Sequence, residues 1–187
     1  MTESQVTPTQ LLMVREDLST LPPTSIPQGC TLSSYHPGDE SAWEHIIDEA
    51  FQGKHNFTEF MMNDEPYLPE RVWFLRSGPT PAATASAWYR PEWGEDTGYL
   101  HMVGALASHA GKGFGLQVSL AALHRMREEG RTRAVLNTDD FRLSAIVIYL
   151  KLGFVPVLAA ADHGQRWIAI AEATGMDCTP AKDRTCE

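Results

Sequence analysis

The sequence predicts an α/β fold of the α+β type: a mixed, largely antiparallel central sheet flanked by helices. Three observations predict it. Apolar residues at helical spacing come early, from Trp43 to Phe51. Three short strand-like runs then succeed one another with turn-length breaks, as in a meander. The remainder reads strand, glycine-rich turn, helix, strand, helix, strand, strand, which is a mixed order rather than a fully wound parallel one.

Each element has its own signal. Leu11 to Val14 is a short apolar run, a first strand or strap. The three prolines in Leu21 to Pro27 keep that stretch extended and irregular. Thr31 to Tyr35 reads as a strand. Pro37-Gly38-Asp39 is a turn, with Asp39 as a helix N-cap. Trp43, Ile46, Ile47, Ala50 and Phe51 mark the first helix, which Gly53 is expected to stop. Phe57 to Met62 suggests a second, short helix whose apolar side chains either line a pocket or pack on a sheet.

Val72 to Arg76, Ala82 to Tyr89 and Tyr99 to Leu106 are the three meander strands, although the alanines weaken the second. Pro91 to Thr97 is the turn before the third. Beyond the glycine-rich turn, Phe114, Val118, Leu120, Ala121 and Leu123 mark a helix ending near Gly130. Ala134 to Leu136 is a buried-type strand. A helix from about Leu143 to Leu152 is ended by Gly153, and strands are expected at Phe154 to Leu158 and Trp167 to Ala171. The domain division is a flexible tail at 1–10, a single domain at 11–174 and a frayed tail at 175–187.

The totals narrow the function classes. The chain has 187 residues, enough to bury a core without disulfides or a structural metal. A formal net charge of −9 argues against a nucleic-acid binder, whose affinity rests on phosphate neutralisation. The same charge mildly attracts cationic amines, although solubility alone accounts for it. The three cysteines, Cys30, Cys178 and Cys186, form no Cys-x-x-Cys, so neither a zinc site nor a redox pair is indicated. Sparse cysteines, a polar start and no long apolar run point to the cytoplasm, away from membranes.

The segment Ala110-Gly111-Lys112-Gly113-Phe114-Gly115 sits between a strand and a helix. Glycines admit backbone angles closed to other residues, and a helix start offers free N–H groups and the positive end of its dipole. Such a turn can hold a phosphate group. A nucleoside-triphosphate loop needs Ser or Thr after Gly-Lys, and Gly113 stands there instead. A dinucleotide fingerprint needs a third glycine where Val118 stands. Taken alone, the turn is as compatible with no ligand as with one.

A second stretch breaks that tie. Ala145-Ile146-Val147-Ile148-Tyr149-Leu150-Lys151-Leu152-Gly153-Phe154 is a helix, its glycine stop and the start of a strand. With the earlier turn, it resembles the GNAT superfamily of N-acetyltransferases. In that family a bulged strand leads to Arg/Gln-x-x-Gly-x-Gly/Ala and a helix, and a later helix carries Tyr before Gly-Phe. The match runs from about Tyr99 to Phe154.

The resemblance implies acetyl-CoA as cosubstrate, no metal, and transfer of an acetyl group to the primary amine of a small molecule or peptide. An acyl-CoA sensor of the same fold is the alternative, and a homodimer is compatible with either. Backbone groups near Ala105, Leu106 and Ala107 would hold the pantetheine arm and the acetyl carbonyl. The stretch Ala110, Gly111, Lys112, Gly113, Phe114 and Gly115 would cradle the pyrophosphate through its backbone. Tyr149 would protonate the leaving thiolate, unless it is simply a packed tyrosine.

This chain departs from the pattern in three places. Ala110 stands where Arg or Gln is usual, Arg142 where Asn is frequent, and Ala107 where proline is common.

His101 is the candidate base, with an ordinary pKa near ~6.5. A structural histidine is the equal alternative. Tyr99 and Val103 are expected to share its sheet face. Asp139 and Asp140 could contact a ligand, but capping the next helix is their more ordinary role. Trp88, Tyr89 and Trp93 could shape an acceptor pocket, with core packing the more ordinary role for Trp88. That pocket is expected from Phe51 to Tyr67 and Pro91 to Thr97.

Overall fold

A computed structural model describes residues 9–181. The tail expectations for residues 1–8 and 182–187, Cys186 included, lie outside the described residues. The chain divides into two compact units, Arg15–Val135 and the described parts of Met1–Val14 with Leu136–Glu187.

The larger unit carries β2 (Cys30–Ser34), α1 (Glu40–Phe51), β3 (Val72–Ser77), β4 (Thr80–Trp88), β5 (Thr97–Ala105), α2 (Phe114–Glu128) and the start of β6 (Arg133–Thr138). Its strands are neighbours in the order β2-β3-β4-β5-β6. The pairs β2–β3, β3–β4 and β4–β5 are antiparallel, and β5–β6 is parallel. The sheet is therefore mixed and largely antiparallel, as the element order predicts.

The alanines that weakened β4 as a strand explain its place. Every residue from Ala82 to Trp88 is buried, and α1 and α2 both pack on it. Side chains of a strand alternate between faces, so uninterrupted burial means that both faces are covered. Small residues let two helices come close.

Gly104 in β5 does the same for α1. A Cβ there would lie 3.0 Å from Ile47 Cδ1, 3.1 Å from Ile46 Cγ2 and 3.2 Å from the Ala50 methyl. The core under α1 is built from Trp43, Ile46, Ile47, Phe57, Met61, Phe74 and Trp88. Phe57 and Met61 thus pack inward, while Phe60 and Met62 stay exposed.

The end of α1 differs in one detail from expectation. Gln52, at φ 53°, takes the left-handed cap position that Gly53 was expected to fill. Gly53 comes next, and its N–H joins that of Gln52 on the Asp48 carbonyl. Asp39 is the N-cap residue without a capping side chain. Its carboxylate instead accepts the His36 N–H at 2.9 Å and pairs with Arg76 at 2.7 Å.

The smaller unit carries β1 (Leu11–Arg15, up to Val14), the end of β6, α3 (Leu143–Lys151), β7 (Val155–Val157) and α4 (His163–Thr174). Here β1 neighbours both β6 and β7, and it pairs with β7 antiparallel. The last expected strand, Trp167 to Ala171, is wrong: these residues lie inside α4. The buried side chains His163, Trp167 and Ile170 are spaced by four and three residues, a helical period that a short apolar run conceals. Gly175, at φ 66°, closes the helix. Past it, Cys178 is buried and the Ala181 N–H donates to the Pro156 carbonyl at 2.9 Å.

Candidate active site

The glycine-rich turn begins where β5 ends. Leu106 donates its N–H back to the Ala82 carbonyl at 2.9 Å, and Ala107–His109 forms a single 3₁₀ turn. Ala110 is extended, and Gly111 and Gly113 both sit at φ 76°. That left-handed conformation strains any residue with a side chain, so two glycines here are a backbone requirement. A Cβ on either would meet nothing within 4 Å, so the space in front of the turn is open.

The hydrogen bonds of the turn leave a distinct set of donors. The Ala110 N–H goes to the Ala107 carbonyl and the Lys112 N–H to the His109 carbonyl. The helix ladder of α2 starts with Gln117 donating to Gly113. Among the described residues, the N–H groups of Gly111, Gly113, Phe114, Gly115 and Leu116 donate to no protein acceptor. Five such groups around a left-handed turn and a helix start suit an anion, and they fit a ligand bearing phosphates. Ala110 and Lys112 are exposed. His109 lies half-buried, stacked on Phe114 at 5.2 Å.

β5 carries the second feature. Ser86 pairs with His101 and Thr84 with Gly104, so three steps on β5 match two on β4. This is a β-bulge, and Met102 within it takes φ 46°. Cross-strand partners share a face, so Gly104, not Val103, lies on the face of His101. The expected sharing holds for Tyr99, whose ring is 5.1 Å from that of His101. The extra residue breaks it beyond. The parallel ladder with β6 covers Thr97, Gly98 and Tyr99, so the β5 edge from Leu100 onward is outside it.

His101 also meets the Trp88 ring at 5.8 Å. Trp88 is fully buried and donates its Nε1–H to Asp64 at 2.7 Å, and Arg90 pairs with the same carboxylate at 2.8 Å. Burial pushes Asp64 up, but the bonds from Trp88 and Arg90 more than offset this and hold it below its usual value. His101 is lowered to about 4, first by burial and then by the Arg90 charge, against a smaller upward pull from Asp64. The imidazole is therefore neutral at pH 7.

Two side-chain contacts and two concavities have no signature in residue spacing. Glu49, on the last turn of α1, accepts the Ala107 N–H at 2.6 Å. Asp48 accepts both the backbone N–H of His55 at 2.7 Å and its Nδ1 at 3.1 Å, beside Lys54, in a concavity of about 370 Å³. The loop after Arg90 walls a second concavity of about 590 Å³ with Tyr89, Glu129 and Arg131. The first is lined in part by the segment Phe51 to Tyr67, through Lys54, His55, Asn56 and Glu59, and the second in part by Pro91 to Thr97, through Pro91, Gly94 and Glu95. They arise from contacts across helix ends and loops, which no local pattern reports.

Tyr149 belongs to the smaller unit. It is buried on α3, with Phe154 edge-on at 6.2 Å and the Phe154 N–H on its carbonyl at 3.0 Å. Gly153 between them sits at φ 78°, as a helix stop requires. Arg142 is the N-cap residue of α3. The capping role expected for Asp139 and Asp140 is not observed. Asp140 binds Arg166, with Nε–Oδ2 at 2.9 Å, and Asp139 accepts from Gln10 at 3.3 Å.

A family model described as "Acetyltransferase (GNAT) family" matches residues 40–154. The chain belongs to the GNAT acetyltransferase family. The matched span includes Glu49, His101, the glycine-rich turn and Tyr149. The mycothiol acetyltransferase of Thermomonospora curvata is 28% identical over 151 residues, covering 77% of this chain and 51% of that one. A protein of the same name from Nocardia farcinica is 28% identical over 160 residues, covering 79% and 53%. The chain thus spans about half the length of the curated relatives it matches. The GCN5-related N-acetyltransferase from Kribbella flavida superposes with a TM-score of 0.59 at 22% identity, covering 80% of this chain and 55% of that one. At that identity the likeness is one of fold.

Among the described residues, no group of three or more His, Cys, Asp or Glu side chains could hold a metal ion. No described helix is long and apolar enough to cross a membrane.

Proposed function

We propose that this GNAT-family chain moves an acetyl group from acetyl-CoA to a primary amine by direct attack in a ternary complex. One observation carries the reading: five acceptor-free N–H groups lie around an open, left-handed turn at the start of α2. Those of Gly111, Gly113, Phe114, Gly115 and Leu116 would hold the pyrophosphate. Backbone groups near Ala105 and Leu106, at the end of β5, would take the pantetheine arm. Acetyl-CoA would supply the activated carbonyl. Holding it beside an amine turns a bimolecular encounter into an oriented one, where much of the rate arises.

The chain's own groups would then move protons. A neutral His101 imidazole would accept the proton the amine must lose, directly or through water. The Tyr149 hydroxyl would return one to the leaving sulfur. The name of the relatives makes mycothiol-related compounds the first acceptors to try, with peptide amines next.

The test is thiol release from acetyl-CoA across an amine panel. Tyr149→Phe should lower kcat by about 10²-fold with little change in KM for acetyl-CoA, the size of a general-acid contribution. An unchanged kcat would remove Tyr149 from the chemistry.

One observation favours a second reading, an acyl-CoA sensor with little turnover. A pKa of about 4 makes His101 a weak base for an ammonium group. CoA binding without thiol release on any amine would select that reading.

A further inference from the structure

We propose that Glu49 is a positioning residue for acetyl-CoA: its carboxylate latches the loop that feeds the phosphate cradle to the end of α1. The inference rests on the cosubstrate reading above.

Ala107 opens the 3₁₀ turn Ala107–His109, and the N–H groups of His109 and Ala110 are used locally, His109 to Leu106 and Ala110 to Ala107. The Ala107 N–H is left over, as the first donor of any helical turn is. Glu49 takes it at 2.6 Å, a short charge-assisted hydrogen bond.

Both residues are exposed, so water could satisfy that N–H equally well. What the carboxylate adds is attachment. On the α1 side the anchor is stiff, because Ile46, Ile47 and Ala50 press against Gly104. On the loop side, the path from Ala107 to Gly111 is short and small-residue rich, and the cradle begins at its end. Fixing Ala107 fixes where Gly111 and Gly113 present their donors. The latch therefore acts through the backbone donors, and Glu49 itself need not touch the ligand.

The latch can be replaced without touching the cradle. Leu106 has φ −63° and ψ 137°, the conformation a residue takes before proline. Proline also suits the first position of a helical turn and has no N–H. Ala107→Pro should hold the loop by its ring instead of by Glu49.

Binding of CoA to the full chain is measured by calorimetry. Glu49→Ala should weaken it about 3- to 10-fold, with Tm within about 2 °C of wild type. Glu49→Gln keeps an acceptor oxygen and should lie within about 2-fold of wild type. In the Ala107→Pro background, Glu49→Ala should change affinity by less than about 2-fold, because the two changes remove the same interaction.

The proposal is overturned if Glu49→Ala binds CoA as tightly as wild type. It is equally overturned if the loss is as large in the proline background. A wild-type chain that binds no CoA is a different result, and it sinks the cosubstrate reading itself.

Discussion

At the scale of single residues, His101 shows how position sets chemistry. An imidazole in water titrates near ~6.5. Between Trp88 and Tyr99, beside the Arg90 charge, His101 titrates at about 4. The unfolded chain therefore takes up this proton first as pH falls. The stability contributed by keeping this half-buried ring neutral is fully present above ~6.5 and is lost as pH drops through that value toward about 4. Melting temperature measured from pH 7 to pH 4.5 should fall more steeply in wild type than in His101→Gln. Parallel curves would show that the ring does not stay neutral in the folded state. The acid sensitivity thus has its main origin in desolvation of the ring on β5.

At the scale of elements, the proposed cradle before α2 would act through its backbone. Gly113→Val places a branched side chain at φ 76°, where the penalty is about 1–2 kcal/mol. Its Cβ would meet nothing within 4 Å, so the cost is conformational and not a clash. Relief of that strain would turn the N–H groups away, and CoA affinity should fall at least about 10-fold. Lys112→Ala removes an exposed charge and leaves the backbone alone, so its effect should be the smaller of the two. Calorimetry on both variants checks this, and a larger loss in Lys112→Ala would mean that side-chain charge, not backbone geometry, holds the anion. The β5 bulge is the companion feature. It puts Gly104 on the His101 face and so lets α1 approach the strand.

At the scale of the whole molecule, a ligand that binds only the folded chain must stabilise it. CoA at about 100 times its Kd should add about 2.7 kcal/mol, which for a chain of this length raises Tm by about 5–10 °C. No shift at saturating CoA would contradict every reading in which the cradle holds that ligand. Two compact units make the form of the transition informative as well. The cradle, His101 and Glu49 all belong to Arg15–Val135, so the shift should appear in the melting of that unit whether or not the transition is single.

The sequence by itself determined the mixed sheet, the meander, the glycine-rich turn and the family. These rest on local signals: periodicity, glycines where φ must be positive, and two motifs in order. It mistook α4 for a strand because Trp167 to Ala171 is apolar whichever period is tried, and only the burial of His163, Trp167 and Ile170 decides between them. It placed His101 on its strand but not its face relation to Val103, since one inserted residue at Met102 shifts the phase. The contacts Glu49–Ala107, Asp48–His55 and Trp88–Asp64–Arg90 were invisible, because each joins residues from different elements or across a helix end. Tertiary structure alone decided them, since hydrogen bonds and charge shifts depend on distances in space that no residue spacing along the chain encodes.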